Sequence, residues 1–375
     1  MRTIDVETLR AWLEEGRPVT VLDIRPTSER AEWAIPGSIH IDAYNALKAN
    51  DPKALADVAL PGDAPVVTVC AAGKTSLIAA ELLCTRGIQA FSLDGGMKAW
   101  SLAWNTAEVS LPGNEAHVIQ VRRTGKGCLS YLIGSDGLAA VIDPSLPAEV
   151  YLDLVQTHGW RISLVLETHI HADHLSRARD IAQRSYATLL LPDQRRASYP
   201  FTPVHDGEHI PLGAIHLTAL HTPGHTPEST CYLLEGKALF TGDTLFLDAV
   251  GRPDLHASTD EVTERRVRIY PARARLLYRS LQRLLQLPAE TVILPGHSSR
   301  PVAFDHTPIA APLAEVQERL GSLPATEDAF IASVLARIPP TPPNYERIIA
   351  YNEVGQLPEQ DVTELEAGAN RCAIA

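Results

Sequence analysis

Between Glu167 and His174 the chain reads Glu-Thr-His-Ile-His-Ala-Asp-His. His169, His171, Asp173 and His174 crowd into this short stretch, directly after the apolar run Ile162–Leu166. Such a run predicts a buried strand. His169 and His171 are two apart, so in extended backbone they point to the same side. Asp173 and His174 are then expected to open a helix running from Asp173 to Arg184. Nitrogen and oxygen donors converging at one point are what a divalent metal needs. Helix capping would use one Asp or one His, not this set.

More donors follow at predicted strand ends. They stand in Thr222-Pro223-Gly224-His225-Thr226, Phe240-Thr241-Gly242-Asp243-Thr244 and Leu294-Pro295-Gly296-His297. Each places a His or Asp on a glycine-bent turn at one edge of a sheet, where it can meet His169. The other histidines, His158, His205, His209, His216, His221 and His256, lack such a setting and are expected to be structural or exposed.

A second chemistry is written in Val69-Cys70-Ala71-Ala72-Gly73-Lys74-Thr75-Ser76. Cys70 stands at the carboxyl end of a predicted strand, where open α/β sheets place their sites. The loop leads into a helix N-terminus, so backbone N–H groups and the helix end can stabilise a thiolate, the nucleophilic form. Cys84, inside that helix, reads as a buried structural thiol.

Elements positioning these residues alternate. Helical spacing over Ile4–Glu15 precedes strands at Val19–Asp23, Ser38–Ile41, Pro65–Val69 and Ala90–Leu93, with a helix over Leu77–Arg86. That alternation predicts a small α/β domain with a parallel sheet. Ser101–Gly113 reads as a linker. Strands at His117–Val121, Leu129–Ile133 and Leu138–Asp143 begin a new pattern, with a helix over Pro147–His158. Further strands are expected at Thr188–Leu191, Ile215–Leu220, Ser229–Leu234, Lys237–Phe240 and Val292–Leu294. A long helix over Thr259–Leu287 is expected to break near Tyr270-Pro271. Helical pieces at Leu313–Leu320 and Glu327–Arg337 follow, and the acidic tail after Pro358 is expected to fray.

The chain has 375 residues, 45% of them apolar, and a net charge of −12, which excludes general nucleic-acid binding. No apolar run suggests a signal peptide or membrane span, so a cytoplasmic protein with five reduced cysteines is expected.

Residues 1–106 resemble a single rhodanese (sulfurtransferase) domain. The likeness is carried by Leu22-Asp23-Ile24-Arg25, Ile35-Pro36-Gly37-Ser38-Ile39-His40, the Cys70–Ser76 loop and Leu93-Asp94-Gly95-Gly96-Met97-Lys98-Ala99-Trp100. It implies a Cys70 persulfide intermediate, with Asp23 and Arg25 supporting the loop. Many members carry arginine just after the cysteine. Here Ala71-Ala72 follow, and Lys74 is the loop's only cation.

Residues from about 114 to 310 resemble the metallo-β-lactamase superfamily, which implies a four-layered αβ/βα sandwich. In that pattern His169, His171, His225 and Asp243 serve one metal, and Asp173, His174, His297 and the shared Asp243 a second. Two branches fit the ligands. One resembles glyoxalase II, a thioester hydrolase with two zinc ions. The other resembles the persulfide dioxygenases, with one Fe(II) per chain on His169, His225 and Asp243. His171, Asp173, His174 and His297 then orient ligands and water.

Three stretches resemble the dioxygenase branch: Gly251-Arg252-Pro253-Asp254, Leu277-Tyr278-Arg279-Ser280-Leu281 and Pro342–Ile349. In that branch Arg252, Tyr278 and Arg300 are candidates to bind the carboxylates of a thiol carrier. Arg177 stands where relatives more often have glycine. The expected organisation is a rhodanese-like domain (1–106), a metal domain (107–311) and a helical extension packing on it (312–375). The expected partners are a small-molecule thiol persulfide and O₂, with no nucleic acid and no membrane, in a homodimer.

Overall fold

The computed structural model describes residues 2–111, 113, 116–255, 268–321, 326–359, 361–368 and 370–374. The first sheet holds β1 (Thr3–Ile4), β2 (Thr20–Asp23), β3 (Ile39–His40), β4 (Val66–Val69) and β5 (Ala90–Leu93). Its order is β1-β5-β4-β2-β3, all parallel. Every residue of β2 and β4 is buried, as parallel strands covered on both faces require. The helix after β4 starts at Lys74, three residues before the expected Leu77, because Gly73 takes a left-handed turn (φ 79°) and launches it directly.

Two larger sheets follow. One contains β6 (Asn105–Val109), β7 (His117–Arg122), β8 (Leu129–Ser135), β9 (Leu138–Ile142), β10 (Arg161–Leu166), β11 (Thr188–Pro192) and β12 (Thr202–Val204). They run in the order β12-β11-β10-β9-β8-β7-β6. The other contains β13 (His209–Leu212), β14 (Ile215–His221), β15 (Thr230–Leu234), β16 (Ala238–Gly242), β18 (Val292–Pro295) and β19 (Ala311–Pro312), in order β13-β14-β15-β16-β18-β19. β17 (Val250–Gly251) pairs with β20 (Ala373–Ile374) in a separate two-stranded sheet.

The sheets face each other across one core that includes Tyr131, Leu166, Leu217, Phe240 and Leu294. Helices Ala148–Thr157 and Ala178–Ser185 cover the first sheet, and Tyr270–Leu284 and Glu327–Ala336 the second. This is the four-layered sandwich.

Several expectations are corrected. The supposed linker Ser101–Gly113 contains β6, which pairs in register with β7 from Asn105 to Val109. Its alternating burial is that of an edge strand, hidden by neighbouring polar residues. Residues 112, 114 and 115 lie outside the described set. The helix expected from Asp173 begins at Ala178. The backbone of 169–176 finds its partners in side chains instead. Asn352 Nδ2 donates to the carbonyls of His171 and His174, and Asn352 Oδ1 accepts from Ser176 N. Near the expected break the α-helix Tyr270–Leu284 begins, with Pro271 in its first turn. Residues 259–267 and His256 lie outside the described set.

The tail does not fray. Thr363–Glu366 is helical, β20 pairs with β17, and Glu366 and Cys372 are buried. Glu366 is fully enclosed between Arg123 Nη2 (2.8 Å), Leu175 N (2.6 Å) and Arg177 Nη2 (3.5 Å). Paired this way, a buried charge fixes the segment. Arg177, unusual by resemblance, has its partner here. Arg123 also donates to the Ser101 carbonyl, at the end of the helix Gly96–Trp100 of the first domain. Lys98 of that helix pairs with Glu364. The tail therefore packs on both domains. No helix among the described residues is long and apolar enough to cross a membrane.

Candidate functional site

Strand ends deliver the donors. β10 ends just before Glu167, β16 ends at Gly242 beside Asp243, and β18 ends at Pro295, two residues before His297. β16 and β18 are parallel neighbours, so Asp243 and His297 emerge side by side. Gly251 lets the following turn close over them: a Cβ there would lie 1.9 Å from the Asp243 carbonyl.

The donors fall into three groups. The first is His169, His225 and Asp243. His169 Nε2 and His225 Nε2 lie 3.9 and 3.6 Å from Asp243 Oδ2. The other ring nitrogens are occupied: His169 Nδ1 contacts Thr168 Oγ1 (2.9 Å) and His225 Nδ1 the Arg252 carbonyl (2.8 Å). Such contacts fix the rings so that Nε2 faces the shared centre. His169 Nε2 and Asp243 Oδ2 are buried without a hydrogen-bond partner. Unsatisfied buried polar atoms are costly, and a cation between them removes the cost. Burial, joined by His171 and His225, holds the His169 pKa well below the ordinary imidazole value. Burial also lowers that of His225, against Asp243. Neutral imidazole is the ligating form, so these residues fit a metal ion.

The second group is Cys128, Asp173, His174 and His297. His174 Nδ1 lies 3.1 Å from Asp173 Oδ1, and His297 Nδ1 hydrogen-bonds Asp243 Oδ1. Burial and Asp173 push the Cys128 thiol up, but His297 and His174 outweigh them and bring it to about 7. The third group is His171 with Asp143 and Glu167. His171 Nε2 sits 2.9 Å from Glu167 Oε2 and 3.2 Å from Asp143 Oδ1, while its Nδ1 has no partner.

Asn370 Nδ2 donates to Asp173 Oδ2 at 2.8 Å. A cavity of 360 Å³ opens onto His297 and is lined by Phe246, Arg300 and Asn370 among others. Arg300 is exposed and lies 3.4 Å from Asp248. Tyr278 packs on Phe330 and does not line this cavity. Arg252 is fully buried, forked onto Asp254 with two 2.7 Å bonds, and donates to the Pro339, Pro340 and Arg371 carbonyls. Its guanidinium clamps the turn after Asp243 to the tail.

In the first domain Cys70 is buried, its Sγ 3.2 Å from Ser76 Oγ, which accepts from Ser92 Oγ at 2.8 Å. The Cys70 and Ala71 carbonyls accept from Met97 N and Lys98 N. Gly96 permits this approach: a Cβ there would lie 2.3 Å from the Cys70 carbonyl. Asp23 and Arg25 form a buried pair (2.6 Å), with Arg25 also bound to the Trp33 carbonyl (2.7 Å). Asp23 is register partner to Val69, next to Cys70. Lys74 is exposed, and so is Cys84, contrary to expectation, because it lies on the solvent side of its helix.

Family comparison agrees with both regions. Residues 123–297 match the model of the metallo-beta-lactamase superfamily, and residues 5–103 that of the rhodanese-like domain.

The chain belongs to the metallo-beta-lactamase superfamily.

It carries a rhodanese-like domain in front of the superfamily domain. A hydroxyacylglutathione hydrolase of Methylococcus capsulatus is 30% identical over 207 residues, covering 53% of this chain and 74% of that protein. One of Methylobacillus flagellatus is 32% identical over 178 residues, 46% of this chain, and the match spans 64% of that relative's own length. Among solved structures, a metallo-beta-lactamase from Staphylococcus aureus subsp. aureus COL aligns with TM-score 0.58 at 27% identity, covering 66% of this chain and 76% of that one. ETHE1 from Myxococcus xanthus aligns with TM-score 0.54 at 28% identity, covering 63% and 97%.

Sequence reasoning missed Cys128, Glu167, Asp143 and Asn370 as parts of this pocket, and Glu366 as the anchor of the tail. Asp143 and Glu167 were findable, since both stand at strand ends beside the histidine cluster. Cys128, Asn370 and Glu366 carry no spacing signal.

Proposed function

We propose that the metal domain oxidises a low-molecular-weight thiol persulfide, such as glutathione persulfide, and that the rhodanese-like domain handles the same sulfane sulfur through Cys70. One persulfide, one O₂ and one water give the thiol, sulfite and two protons. The sulfane sulfur loses four electrons to O₂. The observation that carries this reading is the His169–His225–Asp243 group, two imidazoles and one carboxylate with converging donor atoms, while the Nε2 of the adjacent His171 is taken up by Glu167 and Asp143. A ferrous ion held there would supply open coordination positions for O₂ and substrate.

The chain's own residues do the rest. Thr168 and the Arg252 carbonyl orient the two rings. The Arg252–Asp254 clamp fixes the turn beside Asp243. The cavity beside His297 admits a small thiol, with Arg300 at its mouth as a partner for a carrier carboxylate. At Cys70 the persulfide passes its outer sulfur to sulfite, giving thiosulfate and the free thiol. The fit to ETHE1 along nearly its whole length supports this reading.

A second reading is a binuclear zinc hydrolase of glutathione thioesters, with the rhodanese-like unit as a docking or regulatory module. It is favoured by the hydroxyacylglutathione hydrolase relatives and by the unpartnered His171 Nδ1, which offers a further donor. Metal content and O₂ consumption of an anaerobically purified sample decide between them. One iron per chain with persulfide-dependent uptake supports the dioxygenase. Two zinc ions with thioesterase activity overturn it.

A further inference from the structure

Two charged residues of the tail reach the first domain, and they land on either side of the Cys70 loop. β2 and β4 are parallel neighbours, and Ile24 N donates to the Val69 carbonyl at 3.0 Å. Arg25 and Cys70 therefore emerge at the same carboxyl edge. Arg25 ties the helix Thr27–Glu32 to that edge, donating to the Trp33 carbonyl at 2.7 Å and the Glu29 carbonyl at 3.4 Å. Glu32 thus stands on one flank of the loop. On the other flank is Lys98, whose backbone N–H donates to the Ala71 carbonyl at 3.0 Å. Glu364 pairs with Lys98, and Arg371 Nη2 lies 3.5 Å from Glu32 Oε1. The chain between Glu364 and Arg371 spans the edge from which Cys70 emerges.

Arg371 is presented from fixed backbone. Its carbonyl accepts from Arg252 Nη1 at 3.0 Å, the Cys372 carbonyl accepts from Arg252 N at 3.0 Å, and Cys372 N donates to Asn370 Oδ1 at 2.8 Å. Its guanidinium is held far more loosely. The approach to Glu32 is long for a charge-assisted hydrogen bond, and the two side chains are 30% and 55% exposed. So open an ion pair adds little to stability. The buried arginines of this chain differ: Arg25, Arg123 and Arg252 all meet a carboxylate at 2.8 Å or closer. The Cys70 loop itself carries one cation, Lys74. Sulfite, the acceptor in the transfer proposed above, is an oxyanion and must be drawn to that edge.

We propose that Arg371 is the specificity-determining residue of the Cys70 site, recruiting the oxyanion acceptor, so that the tail of the metal domain completes the sulfur-transfer site of the first. The proposal rests on the reading in which Cys70 passes sulfur to sulfite. The planar guanidinium offers two parallel N–H donors to two sulfite oxygens, in competition with Glu32. The sulfite sulfur then attacks the outer sulfur of the Cys70 persulfide. The S–S bond to Cys70 breaks, Cys70 leaves as the thiolate, the S–S bond of thiosulfate forms, and the persulfide proton goes to solvent. No outside oxidant or reductant is needed. Arg371 changes no bond; it raises the local concentration of the acceptor. A pair that only staples the domains predicts that losing either partner weakens transfer alike. Here the partners act with opposite sign, because Glu32 holds the guanidinium back.

The test uses the full chain without O₂, with glutathione persulfide as donor and thiosulfate formation followed against sulfite concentration. The rate seen with Cys70→Ser is subtracted as background. Arg371→Ala is expected to raise the KM for sulfite about tenfold, with kcat within about twofold. Arg371→Lys should restore part of the loss. Glu32→Gln should lower the KM for sulfite, by about threefold. With hydrogen cyanide, an uncharged acceptor at neutral pH, the KM should stay the same in all three variants. A sulfite KM unmoved by Arg371→Ala, a rise with Glu32→Gln, or an equal loss toward cyanide overturns the proposal. Glu32→Gln also stands as an independent test should Arg371→Ala unfold the tail, since damage does not improve binding. A wild type that forms no thiosulfate above background sinks the Cys70 reading itself, whereas normal transfer indifferent to Arg371 sinks this inference alone.

Discussion

The Cys70 loop and the metal pocket are both buried, but they are completed differently. Around Cys70 the polar groups answer one another. Sγ meets Ser76, Ser76 meets Ser92, Asp23 meets Arg25, and the loop carbonyls meet the helix Gly96–Trp100. In the metal pocket, nitrogens of His169, His171 and His174 and one oxygen of Asp243 are left without hydrogen-bond partners. The first site is finished by the chain itself. The second is a set of oriented donors that needs a cation before its buried polar atoms are satisfied. The two differ in reach as well. The loop spans Cys70 to Ser76, whereas the pocket draws on residues from Cys128 to Asn370.

The strongest way to break this contrast is at the ligands. Asp243→Ala should lose the metal of the first group and all persulfide-dependent O₂ uptake, while sulfur transfer from Cys70 persists. Metal analysis and the two assays read this, and loss of both activities would mean the sites are not separate. Cys70→Ser is the mirror test. Transfer should vanish and O₂ uptake stay, and uptake that also disappears sinks the two-site account.

Next in size is the joint. Glu366→Ala leaves Arg123 and Arg177 buried beside an empty position, at a cost of about 3–5 kcal/mol in denaturant unfolding. Burial alone raises the Glu366 carboxyl, but Arg123 and Arg177 prevail and hold it below the ordinary value of 4.5. With the folded pKa depressed, its stabilisation is complete above that ordinary value. It drains away as pH falls through the lowered one. Glu366→Gln should remove that part of the acid slope, and an unchanged slope would refute the assignment. The smallest effect is expected at Thr168→Val, which frees the His169 ring and removes a hydrogen bond to Asp143. Metal affinity should drop by about 10–100-fold, read by chelator competition, at a stability cost of about 1–3 kcal/mol.

Most of the fold was legible because its signals are local. Largely apolar runs marked β4 and β10, and glycine-bent turns marked His225, Asp243 and His297. Residues that work through distant partners were not. Glu366 sits in an acidic stretch that looks solvated until Arg123 and Arg177 are brought to it. Cys128 fits no spaced pair and gains meaning only from the backbone bridge to His297. Arg252 resembled a substrate ligand, because the sequence could not show the Pro339, Pro340 and Arg371 carbonyls that claim its guanidinium.

The tail has a kinetic consequence. Asn370 touches Asp173, and β20 seals β17 beside Gly251. During synthesis these residues leave the ribosome after every candidate ligand, since chains emerge from the N-terminus. The pocket therefore has one wall missing while its donors are already gathered, and that is the easy moment for an ion to enter. Once the wall docks, the remaining route is the cavity that reaches His297, which Asn370 and Ala373 of that segment help line. Metal exchange in the mature protein should follow the local opening of that segment, and amide exchange at Cys372, whose N–H is held by Asn370 Oδ1, reports its frequency.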